Sequence, residues 1–267
     1  MSLETGNWRR IPKIRGNTMA KTISLIMSAY NEEKTVGVVL GKIKKLDFLH
    51  EIIVVDNGST DSTYDIMAEA KKKDSRIKLL RIAKNRGLGC GLRLAIENTT
   101  GDIVVRQDAD LEYDPGELIV LVEQIVNGNA DVVYGSRLLV RKAHKVHYYY
   151  SYLANVLITS LSNLFTNLFL SDVETAAKAF DGRILRSVKL VSKGFEIENE
   201  MTIKLKKIGC IFFEVPYSYY GRPFSEGKKI RPVDGFKAIF YILFFTLAAI
   251  FMKVPNKLRQ QVEDKGN

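Results

Sequence analysis

The sequence predicts an α/β fold, a mainly parallel sheet with helices on both faces. Two observations carry this. Through the first half of the chain, short runs rich in Val and Ile alternate with stretches of helical spacing. Each run then stops at a short polar turn. Strands separated by helical stretches need crossover connections, which are right-handed and lay parallel strands side by side beneath helices.

The strands are expected, in order, at Thr22–Tyr30, Glu51–Asp56, Arg76–Ala83, Asp102–Asp108 and Ala130–Ser136. Each is a β-branched run of strand length. Between them, Glu32–Lys45, Ser62–Lys73, Leu88–Asn98 and Pro115–Val126 repeat apolar residues at three- and four-residue intervals, the helical period. Asp61 or Thr60 is placed to cap the second helix; Pro115 suits the first turn of the fourth, with Asp114 before it as N-cap.

Residues 1–20 lack periodicity and any apolar core of a secretory signal, so they read as a flexible extension. The catalytic domain is expected over 21–235, with an apolar insertion at about 148–171, and 236–267 as an apolar helix and polar tail. From Tyr148 to Ser171 no residue is charged, yet Asn155, Asn163 and Asn167 punctuate the run. The second run, Ala238–Met252, lies between Lys237 and Lys253 and is short for a hydrocarbon core of ~30 Å. Both read as helices lying in a membrane interface, with two buried helices of a soluble core as the alternative.

Lys and Arg number 40 against 30 Asp and Glu, a net charge of +10 that favours an anionic partner. Hydrophobic residues make up 46%, which excludes wholesale disorder. Cys90 and Cys210 are the only cysteines and form no CxxC pair, which argues against a disulfide framework or zinc site and fits a reducing cytosol. The stretch Arg137–Tyr150 is basic and then aromatic, which suits anionic headgroups; no nucleic-acid-binding signature accompanies it. His144 and His147 within it read as surface residues.

In an open parallel sheet the carboxyl ends of the strands converge on one crevice, where ligands bind. Here those ends carry "SAYNEE", "VDNGSTD", "KNRGLG" and "QDADLE". Asp56 either accepts from a base N–H or ribose hydroxyl or merely starts its turn, and Gly58 allows close backbone approach. Gly87 and Gly89 open a helix whose free N–H groups favour an anion, but no Walker lysine–serine pair follows. Asp108, Asp110 and Glu112 share one phase if the strand stays extended. Their repulsion is then relieved by a divalent cation; a solvated acidic loop is the plainer reading. Hard carboxylate oxygens suit Mg²⁺ or Mn²⁺, which keep positions free for substrate phosphates.

Taken as a set, "SAYNEE", "VVDNGSTD", "NRGLG" and "DADLEYDP" resemble the nucleotide-binding half of family 2 glycosyltransferases with the GT-A fold. "YGSR", "SDVETAAKAF" and "YYGRPFSEGKKI" are similar to the branch that includes dolichyl-phosphate mannose synthase and its polyprenyl-phosphate relatives. The resemblance implies that Tyr30, Glu32 and Asp56, with Gly58, Asn85, Gln107 and Asp108, take the nucleotide sugar. It implies a metal triad of Asp108, Asp110 and Glu112, where relatives often carry Gln at the last position. The same resemblance implies that Arg137, Arg222, Lys228 and Lys229 face phosphates, that Asp172 heads the acceptor-side motif, and that Asp110, Arg137 and Asp172 form the catalytic set. Ala176–Ala177 departs from the Gly or Cys–Tyr of relatives.

The activity so implied is inverting transfer of a hexose, mannose or else glucose, from GDP-mannose or UDP-glucose to a polyprenyl or dolichyl phosphate at the cytoplasmic membrane face. Three other readings share features with it. They are a saccharide acceptor, a sugar nucleotidyltransferase, and a non-enzymatic membrane or nucleic-acid-binding protein. The nucleotidyltransferase needs a basic loop after the first strand, where "SAYNEEKTVG" carries Glu32 and Glu33.

Overall fold

The computed structural model describes residues 21–139, 148–222 and 232–254. The N-terminal extension, His144, His147, Lys228 and Lys229 lie outside the described residues.

Elements β1 (Ile23–Ala29), β2 (Glu51–Asp56), β3 (Ile77–Arg81), β4 (Ile103–Arg106) and β5 (Val132–Ser136) occupy the five expected runs. Helices α1 (Val36–Ile43), α2 (Thr63–Lys73), α3 (Leu88–Glu97) and α4 (Leu118–Val126) fall between them. The second half adds α5 (Tyr149–Thr166), β6 (Lys178–Asp181), α6 (Gly182–Ser187), α7 (Ile197–Ile208), β7 (Phe212–Pro216) and α8 (Pro232–Ile250).

Among the described residues seven strands form one sheet in the order β3-β2-β1-β4-β6-β5-β7. Strand β6 pairs antiparallel with both β4 and β5, and the other pairings are parallel. The helices form because their apolar residues recur on one stripe: Val36, Val39, Leu40 and Ile43 of α1, and Leu118, Leu121, Val122 and Ile125 of α4, are buried. One face of the sheet packs on α1, α2 and α4, the other on α3, α6, α7 and α8. The fold is α/β, mainly parallel, as the sequence predicts.

Three details differ from expectation. Asp61 does not cap α2 directly; Ser62 holds the N-cap position, and Asp61 accepts the Thr63 N–H at 3.0 Å. Strand β4 ends at Arg106, two residues before Asp108, so the acidic residues follow a bent loop and share no extended phase. Gly87 and Gly89 also serve packing at the start of α3, which the sequence did not show. A Cβ on Gly87 would sit 2.4 Å from the Lys193 carbonyl oxygen, and that carbonyl takes the Cys90 N–H at 3.2 Å.

The antiparallel insertion decides where the second half of the site lies. Because β6 runs against its neighbours, its entering end sits at the edge where the parallel strands leave. That brings Asp172, in the loop before β6, to the rim that carries Glu32, Asp56 and Asp110.

Helices α5 and α8 pack on each other and on α7. Helix α5 turns a small, polar stripe inward, Ile158, Thr159, Ser162 and Thr166. It leaves Tyr149, Tyr150, Leu153, Leu157, Leu164 and Phe165 exposed. Helix α8 buries Ala238, Ile242, Phe245 and Ala249 and exposes Phe240, Phe244, Leu247 and Ile250. Among the described residues no helix is long and apolar enough to cross a membrane.

Candidate active site

The first cluster forms around Arg222, which follows β7. Its Nη2 donates to Asp110 Oδ2 at 2.8 Å, and its two terminal nitrogens donate to the Glu32 carboxylate at 3.1 and 3.3 Å. Its backbone N–H donates to Glu112 Oε1 at 2.8 Å, while Tyr219 Oη donates to Glu112 Oε2 at 3.0 Å. One guanidinium therefore gathers carboxylates from the β1 and β4 loops. Burial, then the charges of Asp108 and Glu112, push the Asp110 carboxyl up to about 7 even though Arg222 draws it down.

Asp108 beside that cluster has an arginine of its own. Its Oδ1 accepts from Arg106 Nη2 at 3.0 Å and Nε at 3.2 Å. Arg106 is buried and also donates to Glu198 on α7, whose other oxygen is held by Lys178. Among the described residues no three His, Cys, Asp or Glu side chains are gathered as a metal site. Asp108 thus pairs with Arg106 while Asp110 and Glu112 pair with Arg222, because like charges this close need counter-charge and each guanidinium supplies it.

The second cluster joins Arg137 to Asp172. Arg137 Nε and Nη2 donate to the two Asp172 oxygens at 2.7 and 2.6 Å, a bidentate pair, and its backbone N–H adds a third bond at 3.0 Å. Asn155 of α5 donates to Asp172 Oδ1 at 3.0 Å. Burial works to raise the Asp172 carboxyl, but Arg137 holds it below the usual carboxylate range. The Arg137 guanidinium lies 5.2 Å from the centre of the Tyr219 ring, so Tyr219 touches both clusters.

The third group lies at the ends of β2 and β3. Asp56 is buried, and Oδ1 accepts the Ser59 N–H at 3.1 Å. Gly58 has φ +75, and a Cβ there would come within 2.5 Å of the Asn85 backbone N, so only glycine lets the two turns meet. Asn85 Oδ1 accepts the Gly87 N–H at 2.8 Å, tying the turn to α3. Gln107 donates to the Asp108 and Tyr113 carbonyls at 3.2 and 3.3 Å, with Oε1 buried and unpaired. Tyr30 is half-buried in the turn after β1.

A protein-family model described as glycosyl transferase family 2 matches residues 24–186. The chain belongs to glycosyl transferase family 2. That membership sets aside the nucleotidyltransferase and non-enzymatic readings. This glycosyltransferase is 27% identical over 248 residues to the UDP-N-acetylglucosamine–dolichyl-phosphate N-acetylglucosaminyltransferase of Methanococcus voltae, covering 86% of this chain and 98% of that one. It is 28% identical over 214 residues to the dolichol-phosphate mannosyltransferase of Pyrococcus furiosus, covering 77% of this chain and 58% of that one.

Among solved structures, glucosyl-3-phosphoglycerate synthase from Mycobacterium tuberculosis, in complex with Mn²⁺ and UDP, superposes with a TM-score of 0.65 at 21% identity, over 88% of this chain and 81% of that one. Mannosyl-3-phosphoglycerate synthase from Rubrobacter xylanophilus gives 0.66 at 20%, over 90% and 75%. These likenesses establish the GT-A fold of the enzyme.

Sequence reasoning missed three residues that shape this glycosyltransferase site: Arg106, Asn155 and Tyr219. Arg106 left a legible trace, a charge closing the buried run "IVVR". Asn155 left another, an amide interrupting an uncharged run. Nothing local marks Tyr219, whose partner Glu112 comes from another part of the chain.

Proposed function

We propose that this enzyme moves a hexose from a nucleotide sugar to a polyprenyl or dolichyl phosphate, with inversion, while docked at the cytoplasmic face of a membrane. One observation carries the reading. Helix α5 presents an apolar surface outward and, from its inner face, reaches Asp172 with Asn155. A lipid-facing helix that supplies a residue to the rim of the crevice suits an acceptor whose phosphate must enter from a membrane. The two curated relatives above are named for different sugars but for one acceptor class, which supports the acceptor more than the sugar.

The residues divide the work. The nucleophile is a lipid phosphate, already anionic, so no strong general base is required. Asp172 accordingly serves as a positioning group, fixing the Arg137 fork. Arg137 and Arg222 offset two phosphates that otherwise repel. Asp108, Asp110 and Glu112 are hard oxygen donors, and Asp110 and Glu112 already hold a cationic stand-in, the Arg222 side chain. They fit Mg²⁺ or Mn²⁺, which when bound supplies positive charge for the leaving nucleoside diphosphate.

The test is a panel of nucleotide sugars incubated with dolichyl phosphate, Mn²⁺ and the protein, scored for radiolabelled glycolipid. One sugar should label the lipid. Asp110→Asn should lower the rate by about 100-fold or more with an unchanged melting curve. Labelled saccharide without labelled lipid would sink the acceptor assignment, and unchanged turnover in the variant would remove the role of Asp110.

A further inference from the structure

Strands β4 and β6 run antiparallel and meet at the rim on two cations. Val105 is the register partner of Ala179, so Arg106, the last residue of β4, stands beside Lys178, the first of β6. Like charges set opposite each other on neighbouring strands repel, and both side chains are almost fully buried. Glu198, in the first turn of α7, relieves them: it accepts from Arg106 Nη1 on one oxygen and from Lys178 Nζ on the other. Each cation then reaches on to a loop of the rim. Arg106 donates to Asp108 Oδ1 at 3.0 and 3.2 Å. Lys178 donates to the Val173 carbonyl at 3.0 Å, next to Asp172. Beside Glu198, Asn199 donates to Glu174, two residues past Asp172, at 2.7 Å.

We propose that Glu198 is a positioning residue for the transfer, holding the Asp108 loop and the Asp172 loop in one fixed arrangement. This rests on the reading above, in which Asp108 belongs to the nucleotide side and Asp172 to the acceptor side. Buried ion pairs add little net stability over apolar residues of the same volume, so fixing an arrangement accounts for this one better than stability does. Glu198 also divides the Arg106 guanidinium between two carboxylates. Without that division Arg106 pairs with Asp108 alone, and a cation competing for Asp108 is held less well. Lys178 acts on the acceptor side. Without it the Val173 carbonyl loses its donor, and the loop that carries Asp172 shifts against Arg137.

The experiment uses the full chain and two variants, Lys178→Met and Glu198→Gln, with melting curves to keep every measurement on folded protein. Isothermal titration with UDP and with GDP, in Mn²⁺, reads the nucleotide side. The KM for dolichyl phosphate in the transfer assay reads the acceptor side. Lys178→Met should raise that KM about 10-fold or more and leave diphosphate affinity within about 2-fold of native. Glu198→Gln should raise the KM likewise and also weaken the tighter-binding diphosphate by about 10-fold. Native constants in the folded variants would overturn the proposal, since Glu198 would then serve stability alone. So would a Lys178→Met chain that loses nucleotide and acceptor alike. If Glu198→Gln does not fold, the split in Lys178→Met decides by itself. A native chain that labels no lipid would instead overturn the glycolipid reading, and this inference with it.

Discussion

Arg222 and Asp110 share a 2.8 Å bond, although 112 positions separate them in the chain. The same guanidinium also spans Glu32, so one arginine closes the acidic centre without a metal. Removing it leaves Asp110, Glu112 and Glu32 facing one another in a half-buried space. Arg222→Met should destabilise the metal-free protein by about 1–3 kcal/mol. Mn²⁺ should then raise the melting temperature of the variant more than that of the native chain, since the ion replaces a missing charge. Melting curves at pH 8 with and without Mn²⁺ decide it. An equal Mn²⁺ effect on both proteins would mean that the arginine and the ion do not answer the same carboxylates.

A second set of charges lies deeper. Glu198 sits between Arg106 and Lys178, and all three side chains are almost fully buried. Burial alone would raise the Glu198 carboxyl, but Arg106 and Lys178 together hold it below its ordinary range. Lys178 also donates to the Val173 carbonyl at 3.0 Å, next to Asp172. This chain of charges links the loop of Asp108 to the loop of Asp172. Neutralising its middle member leaves Lys178 buried without its carboxylate partner and Arg106 with Asp108 alone. Glu198→Gln should cost about 3–5 kcal/mol in urea unfolding. A loss under 1 kcal/mol would show that water or rearrangement compensates.

What was legible in the sequence follows from how local each signal is. β1 to β5 announce themselves because buried parallel strands are continuous β-branched runs. β6 does not: it is four residues long and begins with Lys178, whose charge breaks the pattern yet is buried against Glu198. The acidic residues were legible as a cluster, but their partners were not. Arg222 reaches Glu32 from 190 positions away, and no spacing rule spans that distance. The bend after Arg106 also undid the argument from strand phase, because the strand stops before the first aspartate.

Glu174 supplies a pH dependence outside the acidic centre. Burial, and then the Glu198 charge, push its carboxyl up to about 7, against the pull of Lys178, Asn199 and Arg137. The folded chain therefore keeps a proton that the unfolded chain releases near its ordinary value of 4.5. Between those limits the folded state binds more protons, so stability falls as pH rises through the window and is complete below it. Glu174→Gln abolishes that decline. From pH 5 to 8 the variant should gain on the native chain by on the order of 1–3 kcal/mol, read from urea midpoints. Parallel stability curves would refute the shifted carboxyl.

The outward faces of α5 and α8 make the last prediction. Leu157, Phe165, Phe244 and Leu247 are all exposed and lie on two helices that pack together. Side chains already in water add little to folding, so replacing these four with Ser should leave the melting temperature within about 2 °C of native. On a membrane the same side chains enter the interface, where each contributes up to about 1.5–3 kcal/mol if fully buried. Partial insertion at a third of that still sums to about 2–4 kcal/mol over the four. Sedimentation with vesicles containing anionic lipid should therefore show binding weakened by roughly 30-fold or more. Vesicle binding that survives the substitutions, in a protein that still folds, would assign the apolar face to another partner.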